Sequence, residues 1–167
     1  ACNRELYRRI RGGNFDKVVE NIKILISEEI YPTLSFVMMK YNFNKIQHIF
    51  EFAQELGTKK ITFGAFIPYG RGINMAHEAL SFREILQVSK EIEFLSKRYK
   101  IAVSNQLPTK IEKTNYICPA GNYKFSILPS GDVVPCIFFR NKIIGKGRID
   151  KILFIQNDYS ICPAMSY

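Results

Sequence analysis

Tryptophan is absent from this chain of 167 residues, histidine appears only twice and cysteine four times. Without tryptophan, burial has to rest on aliphatic residues and on 13 phenylalanines; an apolar fraction of 47% is enough for a folded core and too high for a disordered polymer. No apolar stretch approaches the roughly 18 residues needed to cross a bilayer, and none has the composition of a secretory leader. The expected location is therefore cytoplasmic, with no membrane partner. A reducing compartment favours metal binding or catalysis over disulfides as the use of the cysteines. Acidic residues are scarce too: 15 against 24 Lys and Arg, for a net charge of +9. That balance attracts anions, but the basic residues are scattered and pair only briefly, as in Arg8-Arg9 and Lys59-Lys60. Such scatter is a solvated surface, and nucleic acid is not an expected partner. The chain also lacks a phosphate loop ending in Lys-Ser or Lys-Thr, a nucleophile elbow and a His-Glu-x-x-His helix. Beginning at Ala1-Cys2-Asn3, before an Arg-rich segment, it is expected to be a piece of something longer.

What is present is an alternation of helix and strand over residues 1–105. Asn14 is placed to cap a helix whose apolar positions Phe15, Val18, Val19, Ile22 and Ile26 follow the helical period. Residues 33–39 form a continuous apolar run of buried-strand type. Asn42 is expected to cap the next helix, with Phe43, Ile46, Phe50, Ala53 and Leu56 on one face and Gly57 as its stop. Residues 60–66 read as a second strand. Ser81 and Glu84 make a capping box for a third helix, and a short strand follows at residues 101–103. Two parallel strands joined by a helix need a crossover connection and leave a sheet flank to be paired by something else. The loop Ile67-Pro68-Tyr69-Gly70-Arg71-Gly72 lies at a carboxyl strand end, where ligands collect in α/β folds. Its bland reading is a Pro-Gly turn with a surface arginine.

Residues 106–117 carry no period and read as a linker. A second, smaller domain over residues 106–167 follows, with a hairpin whose turn is Pro129-Ser130-Gly131-Asp132. Pairing across that turn sets Cys136 opposite Lys124 or Phe125, while Pro119-Ala120-Gly121 can bend Cys118 back toward the same side. Two thiols facing one place without being a directly opposed pair suit a soft metal or an iron–sulfur centre, and Cys162 can supply a third ligand. A disulfide between Cys118 and Cys136, a zinc site and ordinary buried cysteines stay open on spacing alone. For Cys2 the buried-hydrophobe reading is preferred. His48 and His77 are expected to face solvent.

The spacing Cys118, twelve residues, Gly131, four residues, Cys136 resembles the opening of a SPASM or twitch auxiliary-cluster domain of radical S-adenosylmethionine enzymes. Cys118-Pro119-Ala120-Gly121 and the run from Ile127 to Cys136 are similar to that family's hairpin. Arg9-Ile10-Arg11-Gly12, Phe15 to Val19 and Asn21-Ile22 are similar to the stretch after its fourth barrel strand, and Ile67 to Arg71 to the loop after its sixth. The resemblance runs from about residue 7 to residue 150 in the family's order. It implies an α/β fold: the C-terminal part of a partial (β/α)6 TIM-like barrel, residues 1–105, followed by a small SPASM/twitch-type β-hairpin domain, residues 106–167, incomplete at its end. It also implies an auxiliary [4Fe-4S] cluster on Cys118, Cys136 and Cys162, and contacts from Arg11 and Ile67 to S-adenosylmethionine. In the complete enzyme a radical [4Fe-4S] cluster cleaves that cofactor, and the 5′-deoxyadenosyl radical abstracts hydrogen from a peptide, protein or small-molecule substrate. A reductant such as a flavodoxin or ferredoxin supplies the electron.

The sequence departs from the family's pattern in two places. The Cys-x-x-x-Cys-x-x-Cys triplet of the radical cluster does not occur, and Met165 stands where a second thiol would follow Cys162. This polypeptide alone is therefore expected to be inactive. The rival reading is a non-catalytic module that reuses the architecture to hold a peptide or zinc.

Overall fold

The computed structural model describes residues 2–109, 120–121 and 124–146, and the side chain of Arg71 lies outside the described residues. Two compact units divide the chain, the first residues 1–68 with 72–111, the second residues 69–71 with 112–167.

The first unit runs α1 (Arg4–Arg11), α2 (Phe15–Ser27), β1 (Leu34–Met38), α3 (Ile46–Leu56), β2 (Lys60–Ala65), a 3-10 segment (Gly70–Glu78, its first residues counted with the second unit), α4 (Phe82–Tyr99) and β3 (Ala102–Gln106). The strands form one parallel sheet in the order β1-β2-β3. A helix joins each pair, as parallel neighbours require. Register sets Leu34 beside Ile61, Phe36 beside Phe63, and Ile61 beside Val103. Leu34, Phe36, Met38, Ile61 and Phe63 form one buried face, packed with Ile46, Ile49, Phe50 and Ala53 of α3 and with Ile85, Val88 and Ile92 of α4. The opposite face carries Ser35, Val37, Thr62, Gly64, Ser104 and Gln106, all exposed or half-exposed. β1 thus alternates buried and exposed residues instead of being covered on both sides. The apolar residue on its outer face, Val37, is what makes the run look continuous in the sequence.

Three elements depart from expectation at their ends. α1 is a helix of its own: Asn3 accepts the backbone N–H of Leu6, Gly12 ends it at φ +70°, and Leu6 is buried. Asn42 does not cap α3, which starts after Lys45. It is buried, and its amide holds the end of β1: Oδ1 accepts from the Met39 N–H at 2.8 Å and Nδ2 donates to the Val37 carbonyl at 2.9 Å. The last strand covers residues 102–106, further on than its apolar core suggests, because β2 offers it partners as far as Gly64. The capping box of α4 is formed as expected, with Ser81 Oγ accepting from the Glu84 N–H and Glu84 Oε2 accepting from the Ser81 N–H at 2.7 Å.

The second unit holds an antiparallel sheet of β4 (Ser126–Ile127), β5 (Asp132–Val134) and β6 (Gly145–Lys146), with a 3-10 turn at Ile137–Phe139. Val133, Val134 and Ile144 are buried, and Tyr69 meets Phe138 edge-on with ring centroids 5.2 Å apart.

The Ser81 hydroxyl, and then its backbone N–H, hold the Glu84 carboxyl below the ordinary glutamate range. A lowered folded-state value means stability that is present above the unfolded pKa and is lost as pH falls through the folded one. Ser81→Ala should therefore cost about 1 kcal/mol at neutral pH and flatten the acid limb of the stability curve. Urea unfolding between neutral and acid pH measures both effects.

Candidate functional site

Two places in the chain carry candidate functional side chains. The first lies at the carboxyl end of the parallel sheet. Beyond β1 the chain turns through Lys40 and Tyr41, and the segment ending at Glu78 pins that turn: the Lys40 N–H donates to the Glu78 carbonyl and the Tyr41 N–H to Glu78 Oε2 at 3.1 Å. The Glu78 side chain is only 8% exposed, and His77 Nε2 stands 3.6 Å from its Oε1. From α1, the Arg9 guanidinium lies over the Tyr41 ring, 3.9 Å from its centroid, and also donates to the Tyr41 hydroxyl. A planar cation on an aromatic face is attracted by the ring quadrupole. Helix α1, the end of β1 and the segment after β2 are thereby tied at one end of the sheet.

Arg11 is on the same helix and lines a cavity of about 360 Å³ beside β1, together with Tyr7, Phe15, Ser35, Val37 and Phe52. Arg11, Thr33 and Ser35 bring polar groups to this cavity, whose lining is polar and apolar in nearly equal measure. Ile67 does not line it. That residue lies just beyond β2, half-buried, after the Phe66 N–H has added one more bond to the Met38 carbonyl. Gly72 explains the glycine in this loop, since a Cβ there would come within 3.1 Å of the Phe66 ring. His48 and His77 are exposed, as expected.

The second place is the hairpin. Its turn is closed by Gly131 N–H to Leu128 O and Leu128 N–H to Asp132 O, both at 2.8 Å, with Gly131 at φ +80°. Register aligns Ser126 with Val134, so Cys136 follows the strand by two residues. Its thiol is free and half-buried, after buried Pro135, and its carbonyl accepts from the Phe139 N–H. A free thiol at the mouth of a formed hairpin fits a thiolate ligand. Cys118 and Cys162 lie outside the described residues, and among the described residues no group of three or more His, Cys, Asp or Glu could hold a metal. Cys2 packs against the core of the first unit.

Sequence reasoning missed Arg9, Tyr41 and Glu78. For Arg9 the signal was available, because Asn3, Leu6, Ile10 and Gly12 are the cap, apolar face and stop of a short helix. Glu78 sits in the aperiodic stretch Asn74 to Ala79, where nothing announces burial.

In sequence, the chain is 30% identical over 170 aligned positions to a probable GTP 3′,8-cyclase of Sulfurisphaera tokodaii, covering 96% of this chain and 53% of that protein. A probable GTP 3′,8-cyclase of Saccharolobus islandicus is 28% identical over 138 positions, covering 81% and 42%. The chain spans about half the length of the curated relatives it matches. No family model matches it. Among solved structures, Streptococcus suis SuiB bound to S-adenosylmethionine superposes with a TM-score of 0.67 at 15% identity, over 81% of this chain and 35% of SuiB. SuiB bound to the precursor peptide SuiA gives 0.70 at 12% identity, over 98% and 42%. The architecture is thus mixed α/β with a parallel sheet, similar to SuiB. In sequence the chain is similar to probable GTP 3′,8-cyclases, and in fold to SuiB. Among the described residues, no helix is long and apolar enough to cross a membrane.

Gly131→Ala forces a Cβ into the left-handed region with open space around it, so only backbone strain opposes it. A cost of about 1–2 kcal/mol is expected, read as faster amide exchange at Leu128 and Val133 while β1 and β2 are unchanged.

Proposed function

We propose that this chain is the substrate-side portion of a cytoplasmic radical S-adenosylmethionine enzyme whose auxiliary iron–sulfur cluster is held in the second unit. Cys136, Cys118 and Cys162 are its ligands in this reading, and the first unit is the C-terminal part of a partial (β/α)6 barrel. The observation that carries it is the free Cys136 thiol behind a hairpin whose turn places Gly131 at a left-handed angle. Thiolates prefer iron–sulfur clusters and zinc among biological metals. S-adenosylmethionine bound in the complete enzyme supplies hydrogen-atom abstraction. Arg11 offers a guanidinium to an anionic part of the cofactor, and backbone near Ile67 at the strand end offers it hydrogen bonds. A ferredoxin- or flavodoxin-type protein delivers the electron.

The substrate in this reading is a peptide or protein, in keeping with the neighbour that binds its precursor peptide. A small molecule is the second reading, favoured by the curated relatives named for GTP.

Anaerobically purified chain should contain iron and sulfide, and Cys136→Ala and Cys118→Ala should each remove most of both. Stoichiometric zinc in their place identifies the non-catalytic binding module, and a folded metal-free protein overturns the cluster. The reduced chain by itself should yield no 5′-deoxyadenosine from S-adenosylmethionine, because the cysteine triplet of the radical cluster does not occur in it. Chromatographic detection of that nucleoside above a no-protein control would contradict this.

A further inference from the structure

The turn after β1 is fixed at every backbone N–H from Met39 to Phe43. Asn42 Oδ1 accepts from Met39 at 2.8 Å, the Glu78 carbonyl from Lys40 at 3.0 Å, and Glu78 Oε2 from Tyr41 at 3.1 Å. The Met39 carbonyl accepts from both Asn42 and Phe43. Glu78 thus grips two successive amides, one with its carbonyl and one with its carboxylate. Taking a carboxylate out of water is unfavourable unless hydrogen bonds replace its hydration, and Glu78 is buried. What this burial secures is the place of Tyr41, whose backbone it holds and whose side chain meets another element.

That element is α1. Its eight residues are too few for a helix that is stable alone in water, and Leu6 is its one buried residue. The Asn3 cap and the pairing of Arg4 with Asp16 at 2.7 Å hold its amino end, and Tyr7 meets Phe15 at 5.6 Å. Toward the carboxyl end it is tied by Arg9, whose guanidinium lies 3.9 Å from the Tyr41 ring centroid and donates to the hydroxyl. Gly12, at φ +70°, then stops the helix. Arg11 stands two residues after Arg9, about 200° further round the helix. A turn of α1 about its axis on loss of the Arg9 contact would carry Arg11 with it. Ile67 is referred to the same strand end, since it follows Phe66, whose N–H donates to the Met38 carbonyl at 3.1 Å. Both candidate cofactor contacts therefore depend on the end of β1, Ile67 through Phe66 and Arg11 through Arg9 and Tyr41.

We infer that Tyr41 is a positioning residue for cofactor binding: clamped by Glu78, it presents its ring to Arg9 and so fixes Arg11 relative to the backbone at Ile67. This rests on the reading of Arg11 and Ile67 as cofactor contacts and adds to it the residues that set their separation.

The probe is S-adenosylmethionine, titrated into the anaerobic chain by calorimetry, with amide exchange followed on the same proteins. Tyr41→Leu and, separately, Arg9→Met should each weaken binding about three- to tenfold, the range expected of a cation on an aromatic face. Tyr41→Phe keeps the ring and should stay within about twofold of wild type. With Arg11→Ala already present, Tyr41→Leu should weaken binding no further, because residues that act through one group are not additive. Without ligand, Tyr41→Leu and Arg9→Met should each speed exchange of the α1 amides from Arg8 to Gly12 by about threefold or more, while the Lys40 and Tyr41 amides stay slow behind Glu78. Arg9 is exposed, so Arg9→Met keeps the test available where Tyr41→Leu fails to fold. Wild-type affinity in Arg9→Met, a Tyr41→Phe chain as weak as Tyr41→Leu, unchanged α1 exchange, or losses that add to those of Arg11→Ala each overturn the inference alone. Failure of the wild-type chain to bind S-adenosylmethionine, or affinity unchanged by Arg11→Ala, overturns the cofactor reading and the inference with it.

Discussion

The burial of Phe63 is the constraint on which the first unit depends. Its ring stacks on Phe36 of β1 with centroids 6.1 Å apart and meets Phe50 of α3 at 5.9 Å, and Phe50 in turn reaches Tyr99 of α4 at 5.5 Å. Aromatic pairs of this kind add to the free energy of the area they bury. Here one chain of rings fixes two strands and two helices against each other. Once Phe36 and Phe63 are side by side, the register of β1 on β2 is set, and a slip of β1 by one residue would turn Ser35 and Val37 into the core. The strand ends are then level, and the turns carrying Tyr41 and Glu78 arise within bonding reach.

Much of this was legible in the residues. Ser81 with Glu84, Gly57, and the apolar periods of α3 and α4 are local signals, and local signals survive into the structure because tertiary packing agrees with them. The misreading of Asn42 has a physical cause. An asparagine before an amphipathic run serves equally as a helix cap or as an amide that binds the preceding strand. Only the neighbouring open edge, a tertiary fact, decides between them. The hairpin was visible for the opposite reason: its turn chemistry, with Gly131 as the left-handed residue, is complete within six residues.

The candidate site was legible unevenly. Cys136 is proposed from its spacing to Gly131 and Cys118, which resembles the auxiliary-cluster hairpin, and the structure places it as a free thiol two residues past β5. Arg11 and Ile67 came from resemblance, and the structure separates their surroundings: one lines the cavity beside β1, the other lies beyond β2. Arg9, Tyr41 and Glu78 meet across 69 residues of sequence, from Arg9 to Glu78. No window short enough to show a period contains all three.

The uncovered side of the parallel sheet has a consequence for how this polypeptide behaves when bare. Hydroxyl, amide and glycine positions make up most of Ser35, Val37, Thr62, Gly64, Ser104 and Gln106. Such a surface is readily wetted, so leaving it open costs far less than exposing the phenylalanine-rich side would. Whatever comes to lie upon it displaces hydration water and must offer hydrogen bonds in return. Polar matching, more than the hydrophobic effect, therefore governs admission to that side.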